Sequence, residues 1–206
     1  MPEVNAPNRS VSATVPAKVP VVAIVGWSGS GKTTLMEALI VLFKDKGLRV
    51  AALKHDAHDF SIDTEGKDSY RFTAAGADRT VICAPHKLAV VELLAQPMSL
   101  EALLERFDTD MDLVLVEGFK TQQVPKIEVY RPSLQHELMC VQPQRFPGVV
   151  ALASDAPLEN CPQLELPMLP LNEPERVAEF ILAEFILAQF VDRSASPQQI
   201  LPEGGA

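Results

Sequence analysis

Residues 21–34 of this chain read VVAIVGWSGSGKTT. Five apolar residues lead into a loop rich in glycine and serine, and residues 35–43, LMEALIVLF, then repeat apolar side chains at helical spacing. The stretch therefore predicts a buried strand, a loop and a helix in direct succession. This order is typical of an α/β fold in which ligands bind at the carboxyl edge of a parallel sheet.

The loop in this stretch fits the pattern G-x-x-x-x-G-K-[ST]. Its glycines let the backbone curl until N–H groups face phosphate oxygens, and the helix N-terminus adds a partial positive charge. Lys32 would neutralise the β- and γ-phosphates, and the Thr33 hydroxyl would ligate a magnesium ion. A glycine-rich turn without a ligand is the alternative. We predict a nucleotide-binding loop that consists of Gly26, Ser28, Gly29, Ser30, Gly31, Lys32, Thr33 and Thr34.

The composition narrows the class of protein. The 206 residues carry a formal net charge of −9, which argues against binding to nucleic acid because no basic face is available for a phosphate backbone. The three cysteines lie far apart and favour free thiols in a reducing cytosol. No apolar segment resembles a signal peptide or reaches membrane-spanning length. We expect a cytoplasmic protein that binds neither nucleic acid nor a membrane.

The chain divides into three parts by composition. Residues 1–18 mix Pro, Ser, Asn and Ala without periodicity and predict a disordered leader. Residues 19–191 predict one nucleotide-binding domain, and residues 192–206 a disordered tail. Residues 49–54 predict a second buried strand that completes a β-α-β unit. The expected fold is a three-layer P-loop NTPase, with a mostly parallel central sheet and helices on both faces.

A polar segment, HDAHDFSIDTEGKDS at residues 55–69, follows the second predicted strand. Two histidines three residues apart, with aspartates nearby, could hold a metal, and the flanking lysines could meet phosphates. The alternative is a solvated loop whose Asp and Ser residues form turns. A loop of this length inside a domain is more often functional than not. The candidates for a substrate or partner surface are Lys54, His55, His58, Asp59, Asp63, Lys67 and Asp68.

A third strand, DLVLVEG at residues 112–118, ends in a carboxylate and a glycine. Glu117 occupies the place at which a phosphate-binding domain holds its magnesium-orienting acid, and Gly118 could let a backbone N–H approach the terminal phosphate. Asp112 lies five residues earlier, roughly 16 Å away at the opposite sheet edge. We predict Lys32 and Glu117 as catalytic residues, and Thr33 and Glu117 as the metal ligands.

Two later segments carry weaker signals. Residues 126–131, KIEVYR, alternate apolar and polar side chains between prolines and predict an edge or peripheral strand with one wet face. Lys120 and Lys126 are either phosphate contacts or solvated surface. Residues 148–155 predict a buried strand ending in Asp155, whose carboxylate could pair with the N1–H and N2–H₂ donors of guanine or could simply form a turn. The chain contains no Asn-Lys-x-Asp motif.

The C-terminal helix contains a duplication, EFILA at residues 179–183 and again at residues 184–188. Asn172 is expected to cap this helix. A period of five rotates successive copies around an α-helix, so the apolar surface would wrap much of its circumference. Such a helix packs in the core or covers a partner surface.

Several of these segments, together with one other, occur in an order that resembles the MobB family of molybdopterin-guanine dinucleotide biosynthesis proteins. They are GWSGSGKTT from residue 26, KH at 54–55, HDF at 58–60, GKDS at 66–69, AGA at 75–77, VEGFK at 116–120 and PKIEV at 125–129. The resemblance covers roughly residues 21–190 and implies a P-loop fold that binds GTP with Mg²⁺ and hydrolyses it weakly. It also implies an adapter beside the molybdenum cofactor guanylyltransferase that attaches GMP to molybdopterin, and a homodimer.

Three functions are compatible with these features. The first is a GTP-binding adapter in molybdenum cofactor maturation, with contact to a molybdopterin intermediate as an extension. Its turnover should be slow, because no obvious arginine finger or water-orienting glutamine is present. The second is a small-molecule kinase or ATP-dependent ligase that builds an acceptor pocket from the 55–69 loop. The third is a non-catalytic interaction module that uses the helix over residues 180–190.

Overall fold

The computed structural model describes residues 19–55, 60–107, 110–158 and 164–187. They divide into two compact units, one formed by the chain up to His55 and from Phe107 onward, the other by Asp56–Arg106. The predicted leader and tail lie outside the described residues, so the domain boundaries near residues 18 and 192 stay predictions. Among the described residues, no helix is long and apolar enough to span a lipid bilayer.

The described residues contain eight strands, four α-helices, a 3₁₀ turn and a π-helical segment. In order they are β1 (Val21–Val25), α1 (Lys32–Asp45), β2 (Val50–Lys54), α2 (Asp68–Ala74), β3 (Arg79–Ala84), β4 (Lys87–Glu92), α3 (Leu100–Leu104), β5 (Leu113–Glu117), β6 (Lys126–Tyr130), a 3₁₀ turn (Pro132–Leu134), β7 (Val149–Ser154), β8 (Met168–Pro170), α4 (Pro174–Ile181) and a π-helical segment (Leu182–Leu187).

The first unit is built on a six-stranded sheet with the order β2-β5-β1-β6-β7-β8. Every pairing in it is parallel, and β1 lies between β5 and β6. The carboxyl ends of the strands therefore meet at one edge, where the glycine-rich loop leaves β1. The predicted α/β fold with a mostly parallel central sheet is confirmed.

Both helices of this unit pack on one face of the sheet. Val22 and Ile24 of β1 join Leu39 and Phe43 of α1 in a continuous buried cluster, to which α4 adds Ile181. The alternate strand residues point to the other face. The short segment around Met139, itself fully buried, packs there against β6. Burial of both faces explains why β1 reads as an unbroken apolar run.

The prediction of an edge strand over residues 126–131 is wrong. The strand β6 lies in the sheet interior, between β1 and β7. Its alternating polar residues, Lys126 and Glu128, are both 0% exposed. Burial lowers the pKa of Lys126 to about 8 and raises the pKa of Glu128. Alternation here does not mark a wet face, because internal hydrogen bonds replace water around both side chains.

The hydrogen bonds of these two buried groups go to backbone atoms. The Lys126 ammonium donates to the carbonyls of Gln122, Val124 and Pro147, the last at 2.6 Å. The Glu128 carboxylate accepts the N–H groups of Met139 and Cys140 at 2.7 and 2.9 Å. Lys126 is therefore part of the interior, and its assignment to a phosphate contact or a solvated partner surface is also wrong.

The duplicated segment of the C-terminal helix winds differently from the prediction. Helix α4 continues as a π-helix, in which bonds from residue i to i+5 bring residues five apart into successive turns. Ile181 and Ile186 are both buried, and the rings of Phe180 and Phe185 meet edge to face at 6.2 Å. The two copies thus face the same way. In an α-helix they would be rotated by about 140°.

The start of α4 also differs from the prediction. The residue that precedes its first turn is Glu173, which makes no side-chain capping bond, and Asn172 does not cap the helix.

The second unit contains a β-hairpin and two short helices. Strands β3 and β4 pair antiparallel from Arg79↔Glu92 to Ala84↔Lys87. Hydrogen bonds from Arg106 and Arg79 hold the pKa of Glu92 down at about 2. The Ser99 hydroxyl accepts the N–H of Ala102 at 3.2 Å and so caps the N-terminus of α3.

Candidate nucleotide-binding site

The glycine-rich loop connects β1 to α1, as the sequence predicts. Gly26, Gly29 and Gly31 have φ angles of 151°, 78° and 98°, which L side chains rarely adopt. A Cβ atom on Gly26 would lie 2.4 Å from the carbonyl oxygen of Val129 in β6, so only glycine fits there. A Cβ on Gly29 would meet no atom within 4 Å, which places Gly29 on the open side of the loop.

Lys32 begins α1 and reaches back across the loop. Its ammonium donates to the carbonyl oxygen of Trp27 at 2.9 Å. Burial is the main cause that lowers the pKa of Lys32, and the nearby cations Lys120 and Lys54 lower it further. Glu117 acts in the opposite direction. The group that the sequence assigned to phosphate binding therefore lies among other charged side chains at the carboxyl edge of the sheet.

Thr33 and Glu117, the predicted metal ligands, are in contact. The Thr33 hydroxyl donates to Glu117 Oε2 at 3.2 Å, and Glu117 ends β5 directly beside Ile24 of β1. No cluster of three His, Cys, Asp or Glu residues occurs in the described part of the chain. One hydroxyl and one carboxylate fit Mg²⁺, which keeps waters and takes phosphate oxygens rather than a cage made only of protein groups.

Ser30 supplies a further sign that the loop is shaped for a polar ligand. Its side chain is 2% exposed, and its hydroxyl has no hydrogen-bond partner among the residues that the structure describes. Buried hydroxyls are normally satisfied, so an unpaired one inside a phosphate-type loop fits a ligand oxygen. Ser28, Thr33 and Thr34 are exposed on the same loop and first helical turn.

Arg131 is a residue of this site that the sequence analysis missed. It directly follows β6, and its Nε donates to the Ser30 carbonyl at 3.0 Å. Its Nη1 forms an ion pair with the carboxylate of Asp155, which follows β7. Arg131 thus ties the glycine-rich loop to the residue predicted to read guanine. The sequence signal for Arg131 is its position just after a parallel strand, and an alternating pattern that indicates a peripheral strand conceals it.

The segment after β5 turns back toward the loop. Gly118 and Phe119 both have positive φ angles, 102° and 50°, an uncommon conformation for phenylalanine. The Phe119 ring stacks on His55 at 4.2 Å between ring centroids. The Gly118 N–H donates to the Ile24 carbonyl at 3.3 Å, so it is not directed at a phosphate as proposed from the sequence.

The side chain of Trp27 links the loop to two other segments. The Lys120 ammonium lies 4.8 Å from the centroid of the Trp27 ring. On the other side, Trp27 Nε1 donates to the Glu137 carbonyl at 2.7 Å, and the ring contacts His136 and Phe146. The loop is therefore supported by the chain over residues 136–146.

The other predicted surface residues fall into three groups. Lys54 ends β2 opposite Glu117, and the His55 N–H donates to the Glu117 carbonyl at 2.9 Å, so both adjoin the site. Three belong to the second unit: Asp63 accepts the Thr64 N–H, Lys67 precedes α2, and Asp68 pairs with Arg71. His58 and Asp59 lie outside the described residues.

The all-parallel sheet, the G-x-x-x-x-G-K-T loop after its inner strand and the acid on the neighbouring strand define a P-loop NTPase fold. Residues 21–155 match the family model described as molybdopterin guanine dinucleotide synthesis protein B. The chain therefore belongs to this family, MobB, whose description places it in molybdenum cofactor biosynthesis.

Two relatives carry the name molybdopterin-guanine dinucleotide biosynthesis adapter protein. The one from Haemophilus influenzae is 37% identical over 80% of this chain and 88% of its own length. The one from Escherichia coli is 36% identical over 80% of this chain and 92% of its own length. A crystal structure of molybdopterin-guanine biosynthesis protein B matches with a TM-score of 0.61 and 31% identity, over 79% of this chain and 98% of that chain.

We expect Gly26→Ala to destabilise the protein much more than Gly29→Ala. Both positions have positive φ, which costs alanine about 1 kcal/mol, but only Gly26 would press a Cβ against the Val129 carbonyl. The free energy of unfolding in urea should fall by about 3 kcal/mol or more for Gly26→Ala. Equal losses for the two variants would contradict the close packing of the loop on β6.

Proposed function

We propose that this protein is a GTP-binding adapter in molybdopterin guanine dinucleotide synthesis, acting beside the molybdenum cofactor guanylyltransferase in the cytoplasm. The observation that carries the proposal is the convergence of Lys32, Thr33 and Glu117 at a glycine-rich loop that is open at Gly29. The names of the relatives support the adapter role. Contact with a molybdopterin intermediate is part of the same proposal.

The nucleotide would bind with its phosphates on the backbone amides of the loop. Lys32 would exchange the Trp27 carbonyl for β- and γ-phosphate oxygens, and Thr33 and Glu117 would hold Mg²⁺ or its waters. Magnesium supplies charge neutralisation of the phosphates when it is bound. Guanine would lie toward the end of β7, where the ion pair with Arg131 fixes the carboxylate of Asp155.

Hydrolysis at this site should be slow. Fast phosphoryl transfer requires a cation that stabilises the charge of the transition state and a residue that orients the attacking water. Arg131 is the arginine bound to the loop, and its Nε and Nη1 are engaged by Ser30 and Asp155. Because these two nitrogens of the Arg131 guanidinium are already engaged, Lys32 and Glu117 remain as the proposed catalytic residues.

A homodimer is proposed from the second unit. Val81 and Cys83 of β3 and Leu88 and Val90 of β4 share one face of the hairpin, because they are direct partners across the ladder. The three aliphatic side chains are 54%, 64% and 50% exposed, in chain order. A two-stranded ribbon with an exposed apolar face gains little stability by itself, and a second copy presents the same apolar surface.

The first test is binding of a fluorescent GTP analogue. Lys32→Ala should weaken binding by about 100-fold or more, because it removes a charge-assisted contact to phosphate. Lys46→Ala, an exposed lysine at the far end of α1, is the matched control and should bind normally. Retained affinity in Lys32→Ala would remove the basis of the proposal. Stronger competition by ATP than by GTP would favour a kinase or ligase instead.

The second test is guanylylation of molybdopterin by the purified guanylyltransferase at limiting GTP. The wild-type protein and Lys46→Ala should stimulate product formation, whereas Lys32→Ala should not. No stimulation by the wild type would contradict the adapter role. Equal stimulation by Lys32→Ala would show that the protein acts as an interaction module without its nucleotide loop.

The third test concerns assembly. Leu88→Lys combined with Val90→Lys should shift the protein from dimer to monomer in sedimentation velocity, because four charges would be buried in the dimer. Val41→Lys, an equally exposed aliphatic on α1, should leave the dimer intact. A wild-type monomer, or a dimer unaffected by the hairpin substitutions, would contradict this interface.

A further inference from the structure

We propose that Lys120 distinguishes nucleoside triphosphates from diphosphates, its ammonium moving from the Trp27 ring to the terminal phosphate when a triphosphate binds. The inference rests on the proposed GTP binding at the same loop and adds a specificity-determining residue to it. Lys120 is not part of the glycine-rich loop and lies 86 residues beyond Thr34, the last residue of that loop.

The chain geometry brings Lys120 to the phosphate loop. Glu117, which accepts the Thr33 hydroxyl, marks the side of the loop where magnesium and the terminal phosphate would lie. Two consecutive residues with positive φ, Gly118 and Phe119, then reverse the chain. A Cβ on Gly118 would lie 3.1 Å from the His55 carbonyl, so the turn is tightly packed. The stacked ring of Phe119 fixes it further, and Lys120 emerges over Trp27.

The Lys120 ammonium lacks a carboxylate partner in the described part of the chain. Its contact is the face of the Trp27 ring, at 4.8 Å from the centroid. Burial lowers the pKa of Lys120, which means that the charge is partly desolvated without compensation from an anion. Such a contact is weaker than a charge-assisted hydrogen bond to phosphate. An arriving phosphate oxygen should therefore draw the ammonium from the ring.

The charge balance of the site favours a triphosphate. Lys32 interacts with two further cations, Lys54 and Lys120, and with one carboxylate, Glu117, so these four groups carry a net charge of +2. A magnesium-bound nucleoside triphosphate carries about −2 and the diphosphate about −1. The magnesium-bound triphosphate therefore neutralises the summed charge of these four side chains, whereas the magnesium-bound diphosphate leaves one positive charge. Of the two cations outside the loop, Lys54 and Lys120, the latter contacts the loop through the Trp27 ring.

The test compares dissociation constants for GTP and GDP, each with Mg²⁺, in the full-length protein. A non-hydrolysable GTP analogue avoids turnover. Lys120→Met should weaken binding of the triphosphate by about tenfold and change GDP binding by less than about twofold. Lys120→Arg, which keeps the charge, should retain most of the preference for the triphosphate. Lys46→Met removes a charge about 20 Å away along α1 and should change neither constant.

Trp27 provides an independent readout because it is the single tryptophan of the chain. In the wild type the triphosphate should change its fluorescence more than GDP does, and Lys120→Met should abolish that difference. Equal losses for both nucleotides, or no loss in Lys120→Met, would overturn this inference and leave the proposed function intact. A wild-type protein that binds neither nucleotide would overturn both. The thermal unfolding midpoints should agree among the variants, which excludes misfolding as the cause.

Discussion

The close approach of Gly26 to the Val129 carbonyl is the constraint on which the site depends. It packs the glycine-rich loop against β6, the strand beside β1, and so sets where α1 begins. With α1 in place, Thr33 reaches Glu117 at the end of β5, the strand on the other side of β1. One backbone contact thus fixes the loop between two strands, and the groups that would meet phosphate and magnesium converge as a result.

A buried polar group outside the loop positions the segment that binds the Trp27 side chain. Glu128 lies in the sheet interior, yet its carboxylate binds the N–H groups of Met139 and Cys140. That fixes the segment whose Glu137 carbonyl accepts the Trp27 indole. A buried carboxylate with two amide donors is costly to leave unpaired, so it specifies one position for this segment. The contacts that position the loop therefore extend from the buried Glu128 carboxylate to the Trp27 side chain.

The sequence predicted what local patterns encode and missed what depends on distant pairing. The loop from Gly26 to Thr33, the acid at Glu117 and the parallel sheet follow from short motifs and apolar runs. The inner position of β6 was missed because an alternating pattern normally indicates a wet face, and here Lys126 and Glu128 bind buried backbone groups instead. The bond from Arg131 to Ser30 joins residues 101 positions apart, so no local pattern could reveal it.

The winding of the C-terminal helix explains how two identical segments can both contribute to the core. An α-helix would rotate the second EFILA copy by about 140° relative to the first. The wider turns of the π-helical segment that follows α4 reduce this rotation, and Ile181 and Ile186 both lie in the buried cluster beneath the sheet. The local winding thus compensates for a repeat length that does not match the α-helical period.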